Sequence, residues 1–446
     1  MKPKHLMLLF AAFVVIAGFV YFYEYKGGLE REAASEWASK TFKIANPQDI
    51  VGLTLQTPQG TITAVRENGE WQITAPFQVA AEDGQWDGIV NAIMRSTINR
   101  EISSELRDLS KYGLNIPRAT VTLMLADGSE KSFLVGAESK ASKGGVMTFV
   151  KWADSSRVVT TENTLFTTLD KSLFDLRDKS IFHIEKEPRI AKIELEKMGQ
   201  KVVLEKLANR WMITEPVNLV AMPSAVNSLI SGIKGLKARD FVVEEPQSLK
   251  PYGMEDPVGR AVFVYDDSTT SMELRLGDKR SANELYVHWL GKHPVAIIDT
   301  TQAKQFVRTA FDFQDKKLKP FDIKLADRIT MTGDMTLDIF KRDTLGWFSV
   351  AGDTLKTDKV ESLLRNLSNL QADAVGDYYA ENLALYGLQG PRRKIIVMVG
   401  DTVLSAIWIG TKLENECFAK WSESPHVYKL RNWRIGNLEK TVDDLK

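Results

Sequence analysis

The hydrophobic and polar positions of the chain change rhythm several times, and then the whole rhythm recurs. An uncharged run over residues 6–23 contains Leu8, Leu9, Phe10, Phe13, Val14, Val15, Ile16, Phe19 and Val20. A polar stretch, 27–46, follows it, with Gly27-Gly28, Glu30, Arg31, Glu32, Glu36 and Lys40. From Asp49 onward apolar residues alternate with polar ones: Val51, Leu53, Leu55, then Ile62 and Ala64, then Trp71 and Ile73. Period two predicts short strands with one buried face. Pro58-Gln59-Gly60 and Glu67-Asn68-Gly69 supply the turns, and Pro76 closes the set. The period then lengthens. Trp86, Ile89, Val90 and Ile93 fall at i, i+3, i+4 and i+7, which predicts an amphipathic helix. Alternation returns at 120–125, 131–135, 146–152 and 157–160, with Ala126-Asp127-Gly128 as a hairpin turn and a closing helix at 165–174.

This succession occurs three times. Trp71, Trp211 and Trp347 precede Tyr112, Tyr252 and Tyr386 by 41, 41 and 39 residues. Each Tyr is followed by Gly (Gly113, Gly253, Gly387) and, five residues on, by Pro (Pro117, Pro257, Pro391). Trp152, Trp289 and Trp421 end the third strand after the motif. The helix stripe recurs as Val226, Leu229, Ile230, Ile233 and as Val360, Leu363, Leu364, Leu367, with Ser224 and Thr357-Asp358 as expected caps. Later strands are predicted at 261–265, 272–276, 285–289 and 295–298, and at 394–399, 403–409, 417–421 and 426–430. Closing helices are predicted at 303–311 and 433–445. The phrase Phe174-Asp175-Leu176-Arg177-Asp178-Lys179 recurs as Phe311-Asp312-Phe313-Gln314-Asp315-Lys316 and is not found in copy three. The expected fold class is therefore α+β: three tandem repeats of a mainly antiparallel sheet plus helix, after an N-terminal transmembrane helix. Expected boundaries are 1–26 for the anchor, 27–46 for the connector, and 47–184, 187–321 and 325–446 for the repeats. Linkers fall near Glu187-Pro188 and Pro320.

The repeated residues read as architecture. In Tyr-Gly-x-x-x-Pro the Gly supplies a backbone angle denied to other residues, and the Pro fixes entry into the next strand. A helix-to-sheet corner is the main reading; a ligand contact is the alternative. Arg118 and Arg392 follow the Pro, but copy two has Val258-Gly259-Arg260, which argues against a strict binding role. The tryptophans read as core, with an aromatic platform for sugar or peptide as the alternative. The Asp175/Asp178 and Asp312/Asp315 pairs read as a surface helix end.

Composition narrows the chemistry. There are 58 basic and 58 acidic residues and a formal net charge of zero, so nothing favours nucleic acid. Five histidines are present: His5, His183, His288, His293 and His426. His288 takes the slot of Lys151 and Lys420 and reads as an exposed strand residue. No acidic partner recurs at metal-ligand spacing, so chance surface placement accounts for the set. Nucleophile-elbow, phosphate-loop, zinc-protease and Cys-x-x-Cys signatures do not occur. No catalytic, cofactor-binding or metal residue is expected. The single Cys417 makes no intramolecular disulfide and is expected to be buried. Lys2, Lys4 and His5 before the apolar run, Tyr21 and Tyr23 at its end, and Glu24 and Lys26 beyond it place the N-terminus in the cytoplasm and the rest outside. Eighteen residues at ~1.5 Å rise reach about 27 Å, just enough for a thin bilayer. A cleavable signal peptide is the alternative; bulky Phe19, Tyr21, Phe22 and Tyr23 stand where its small residues would be.

The arrangement resembles an uncharacterised bacterial envelope family catalogued as a domain of unknown function. The resemblance rests on Leu109-Ser110-Lys111-Tyr112-Gly113-Leu114, on Pro117-Arg118-Ala119-Thr120-Val121-Thr122-Leu123, on Leu134-Val135-Gly136, and on Leu173-Phe174-Asp175-Leu176-Arg177-Asp178-Lys179. It implies single-span periplasmic repeat proteins, often encoded beside gliding-motility-type ABC transporter subunits. The implied function is a membrane-anchored periplasmic scaffold or accessory subunit of an envelope ABC-transporter-like complex, in the bacterial inner membrane with the bulk of the chain in the periplasm. Its implied partners are the membrane, through residues 6–23, and other envelope proteins. An envelope binding module for glycan, lipid or peptide is the second reading, and an envelope hydrolase the third. Function is expected where the copies differ: at Lys151, His288 and Lys420, or in the loops 136–146, 277–284 and 410–416.

Overall fold

The computed structural model describes residues 3–21, 23, 27–103, 108–140, 145–182, 190–266, 271–291 and 294–446. His183, His293, Lys2, Phe22, Glu24, Lys26, the linker at Glu187-Pro188 and the centre of the loop 136–146 lie outside these residues. The chain divides into two compact units, Met1–Ser180 and Ile181–Lys446. The first holds copy one, and the second holds copies two and three.

Each copy builds the same nine-stranded antiparallel sheet. In copy one the strands are β1 (Ile50–Thr57), β2 (Gly60–Glu67), β3 (Glu70–Ala75), β4 (Val79–Ala80), β5 (Arg100–Ser103), β6 (Ala119–Leu125), β7 (Glu130–Lys140), β8 (Val146–Trp152) and β9 (Val158–Glu162). Their order across the sheet is β4-β3-β2-β1-β6-β7-β8-β9-β5, and the other two sheets repeat it strand for strand. Two meanders are thus fused through β1 and β6, and β5 closes the far edge against β9. The long helix, Asp83–Arg95, lies in the chain between β4 and β5; its counterparts are Pro223–Lys234 and Thr357–Ser368.

The α+β expectation is therefore too rich in helix. Each predicted closing helix breaks into short turns: Thr164–Leu169 and Leu173–Leu176; Thr300–Ala303, Lys304–Val307 and Ala310–Asp312; Asn432–Gly436 and Val442–Leu445. The sequence pattern also missed two edge strands per copy. Strands of two and four residues are too short to show alternation. The predicted helix caps fail too. Met222 and Lys356 occupy the cap positions without a side-chain bond, and Ser224, Thr357 and Asp358 lie inside the helices.

Three separate apolar cores hold the sheets together. The helix stripes face the sheets as their period requires: Trp86, Ile89, Val90 and Ile93 are buried, as are Val360, Leu363, Leu364 and Leu367. In copy two Ile230 is only partly buried. Trp71, Trp211 and Trp347 are core residues at 1%, 8% and 2% exposure. Trp71 stacks on Trp86 at 5.6 Å, and the Trp86 indole N–H donates to the Leu176 carbonyl at 3.1 Å. Trp152 and Trp421 pack partly buried against their cores, and Trp289 is buried. Burying side chains of this size contributes roughly 1.5–3 kcal/mol each.

The Tyr-Gly corner has one geometry in all copies. A 3₁₀ turn ends in Gly113, Gly253 or Gly387 at φ 63°, 70° and 65°, the left-handed region that glycine enters without strain. The Tyr rings meet the third strand after the motif edge-on: Tyr112 to Phe149 at 4.9 Å, Tyr252 to Tyr286 at 5.1 Å, Tyr386 to Phe418 at 5.1 Å. A second glycine seats the corner. A Cβ on Gly136, Gly277 or Gly410 would come within 2.2, 2.0 or 2.1 Å of the Tyr carbonyl oxygen.

Each repeat closes on itself through a capping box. Ser172 and Asp175 bond reciprocally, as do Thr309 with Asp312 and Thr441 with Asp444. The carbonyls of Leu176, Phe313 and Leu445 then accept from Glu82, Met222 and Lys356 at the start of the long helix. The closing motif is therefore present in copy three as Thr441-Val442-Asp443-Asp444-Leu445. Only its capping pair and its buried apolar residue survive, which is why the phrase escaped notice. Asp175 and Asp312 cap the short closing helices, whereas Asp178 and Asp315 accept from the amides of Ser180 and Lys317 beyond them; in copy two both aspartates are exposed, at a surface helix end.

The N-terminal helix, Pro3–Phe19, is 17 residues long. No helix among the described residues is long and apolar enough to cross a membrane. Phe10, Phe13, Val15, Ile16 and Phe19 on this helix are 60–70% exposed, so the chain itself does not cover them.

Candidate functional site

The strand registers place Lys151, His288 and Lys420 in one structural slot. It ends a row of residues that runs across each sheet on the face away from the long helix. In copy one the row is Gln56, Thr120, Leu134, Lys151. In copy two it is Glu196, Arg260, Arg275, His288. In copy three it is Thr332, Lys394, Trp408, Lys420. Same-face neighbours across antiparallel strands lie close enough to interact, so each row is one chemical surface.

The three surfaces differ. Copy one is largely neutral: the Lys151 ammonium donates to the carbonyls of Trp152 and Ala153 at 3.0 and 3.3 Å, and Thr54–Thr63 and Thr122–Ser132 form hydroxyl pairs beside it. Copy two is ionic. Glu273, 7% exposed, accepts from Arg260 at 2.8 Å and from Arg275 at 2.7 Å. The Arg260 bond, with help from Arg275, holds the Glu273 carboxyl down at about 2 against the opposing cost of burial. Copy three is cationic and aromatic. Lys394 and Lys420 lie 5.6 and 5.4 Å from the Trp408 ring, and neither ammonium has a carboxylate within ion-pair range among the described residues. Lys420 is 7% exposed, and burial lowers its affinity for a proton.

The expected variable loops 136–146, 277–284 and 410–416 each begin as strand. β7 runs to Lys140, and its counterparts run to Ser281 and Lys412. Each passes a bulge before the polar extension, which shifts the alternation and hides it from sequence.

Among the described residues histidine does not gather into a catalytic group. His288 is half-buried on its strand. His426 is not a surface residue. It is 5% exposed, lies 5.6 Å from Tyr378 and Tyr379, and its Nδ1 is 2.9 Å from the Tyr378 carbonyl. No group of three or more His, Cys, Asp or Glu able to hold a metal occurs among the described residues. Cys417 is fully buried, and burial pushes its thiol up to about 11. The arginines after the motif proline serve the fold. Arg118 bonds Gly136, Glu138, Thr148 and Asn163, and Arg392 pairs with Asp334 at 2.9 Å. The neighbouring Arg393, 1% exposed, bonds both Asp334 and Glu439.

A concavity lies between copies two and three. It has a volume of about 770 Å³, within the ~300–1,000 Å³ range of small-molecule sites. One wall comes from the hairpin joining Ile190–Lys197 to Gln200–Leu207, another from the segment 307–311, and a third from residues 373–378. The two copies interlock around it. Phe311 of copy two packs on the core of copy three, and Tyr378 of copy three packs on the core of copy two. The Tyr378 hydroxyl donates to Gln314 at 3.1 Å, and burial raises its pKa. The Leu318 and Ala372 amides donate to Leu370 and Lys316 across the junction at 3.0 and 2.7 Å. Val202, Val307, Ala310 and Val375 give the cavity apolar surface, while Lys197, Lys201 and Arg308 give it charge. Apart from Phe311, which opens the recurring phrase, no sequence signal marked these residues. They come from three places in two repeats and share no motif.

The family described as Domain of unknown function (DUF4340) matches residues 71–213, 211–376 and 351–446, and the chain belongs to that family. No curated protein matches it. Among solved structures, the DNA polymerase III subunit beta of Borrelia burgdorferi aligns with it at 8% identity over 90% of this chain and 95% of that chain, with a TM-score of 0.10.

Proposed function

We propose that this member of the DUF4340 family is a membrane-anchored periplasmic scaffold, an accessory subunit of an envelope ABC-transporter-like complex. It performs no catalysis of its own. The observation that carries this reading is the contrast between the two faces of the repeats. The helix-side cores keep apolar residues at corresponding places in all three copies. The opposite faces carry hydroxyls in copy one, ion pairs in copy two, and two lysines around a tryptophan in copy three. One fold used three times with three surface chemistries suits three different protein contacts. The anchor reading is supported by the uncovered apolar side chains of Pro3–Phe19 and by the basic residues before them.

The test is purification of the full-length protein in mild detergent from its native membrane. Recovery of transporter subunits, lost when Trp408→Ala and Lys420→Ala are combined, is the expected result. Repeated recovery of the protein alone would end the scaffold reading. A second reading, an envelope binding module for a small ligand, is favoured by the cavity between copies two and three.

A further inference from the structure

We infer that the cavity between copies two and three binds a single-chain anionic amphiphile, an acyl chain with a carboxylate or phosphate head. The inference rests on the second reading above and names its ligand class.

The charges decide the sign of the ligand. Asp373 is the only carboxylate on the cavity wall among the described residues. It is already matched: Arg434 holds it through two bonds, at 2.9 and 3.1 Å, and the Arg431 amide adds a third at 2.9 Å. Lys201 is matched as well, to Glu194 at 3.2 Å. Lys197 and Arg308 are not. Neither has a carboxylate within ion-pair range among the described residues; Arg308 makes a 3.4 Å bond to the Ala225 carbonyl and lies 5.9 Å from the Phe313 ring, and neither contact supplies a counter-charge. The wall therefore carries two cations without a counter-charge. Lys197 is exposed and stands at the rim, and Arg308 is half-buried. A head group bearing negative charge completes both.

The rest of the wall decides the body of the ligand. Val202, Val307, Ala310, Phe311 and Val375 present aliphatic and aromatic carbon, and apolar surface placed there leaves water. An acyl chain needs no hydrogen bonds. A sugar or an extended peptide would bring polar groups that the apolar half of this wall does not match; Gln200, Thr309 and Tyr378 leave hydrogen-bonding atoms for the head group on the other half.

The experiment uses full-length protein in nanodiscs of neutral phosphatidylcholine. Diazirine-bearing palmitate, a diazirine-bearing lysophosphatidate and a diazirine-bearing neutral monoacylglycerol are photolysed in turn, and cross-links are mapped by peptide mass spectrometry. The expected result is labelling within 197–202, 307–311 and 373–378 by an anionic probe, competed by unlabelled palmitate or lysophosphatidate. Which anionic probe labels separates the carboxylate source from the phosphate source. Lys197→Glu combined with Arg308→Glu should cut that labelling about tenfold or more. Lys197→Glu alone, at an exposed position that leaves the core intact, should cut it in the same direction. Equal labelling of the cavity by the neutral probe overturns the anionic assignment and leaves the binding reading standing. Labelling confined to the N-terminal helix, with none in the cavity, overturns both.

Discussion

Replacing Glu273 by Gln isolates the charge that organises the outer face of copy two. The side chain is 9% exposed and bridges Arg260 and Arg275 at 2.8 and 2.7 Å. Gln keeps the shape and an accepting oxygen but leaves two guanidiniums facing a neutral group. The carboxyl sits at about 2 in the folded chain against an ordinary 4.5. A drop of that size is worth roughly 3 kcal/mol at most. The partners are 38% and 35% exposed, so solvent screening reduces this to about 1–2 kcal/mol. Because the folded pKa is depressed, the contribution is fully present above the ordinary carboxylate range and is lost as pH falls from about 4.5 towards 2. For the unit Ile181–Lys446, each kcal/mol moves the unfolding midpoint by roughly 2–4 °C. Differential scanning calorimetry of the full-length wild type and variant in detergent should show Glu273→Gln melting roughly 2–8 °C lower near pH 7, a gap that narrows near pH 2.5. A gap of the same size at both values would refute the argument, because the loss would then come from packing and not from charge.

Three further outcomes follow from the fold. Gly136→Ala drives a methyl into the Tyr112 carbonyl, 2.2 Å away, and should destabilise copy one by about 2 kcal/mol or more in urea unfolding, whereas Gly128→Ala, with open space around it, should show only the cost of its positive φ. Thr441→Ala removes one half of the closing capping box of copy three; a loss of about 1 kcal/mol is expected, with earlier amide exchange at Lys356, whose N–H rests on Leu445. Cys417 should react with Ellman's reagent far more slowly in the native protein than in urea, since a buried thiol with its pKa near 11 carries almost no thiolate at about pH 8; equal rates would place it at the surface.

What the sequence revealed and what it hid divide along a physical line. The repeat, the helix stripes, the buried tryptophans and the glycine corner were legible because each imposes a fixed spacing or a residue type that cannot be exchanged. Gly113 must be glycine, and Ile89 must recur with the helical period. The edge strands β4 and β5 were not legible, because two to four residues carry no period. The closing box of copy three was hidden because the fold needs only Thr441, Asp444 and an apolar Leu445, and everything between them drifted. His426 was misplaced for a different reason. Its burial depends on Tyr378 and Tyr379, 48 and 47 residues earlier, which the sheet brings to it. The cavity between copies two and three belongs mostly to that last class. Its walls are set by how two repeats meet, and of the residues on them only Thr309, Ala310 and Phe311 fall in a repeated motif, the closing box.

The closing box has an evolutionary consequence. In a solenoid each unit leans on the next, so the ends need special caps and a unit cannot be removed without exposing its neighbour. Here each copy ties its own tail to the start of its own helix and keeps its own core. A gene for such a chain can gain or lose a whole copy by unequal recombination and uncover only the groups that cross a junction, such as Phe311 and Tyr378 between copies two and three. Once copied, a unit is free to change its outward face while its inward one is held fixed. The distance from Thr122 to Glu273 to Trp408, in chemistry if not in fold, measures how far that freedom has been used.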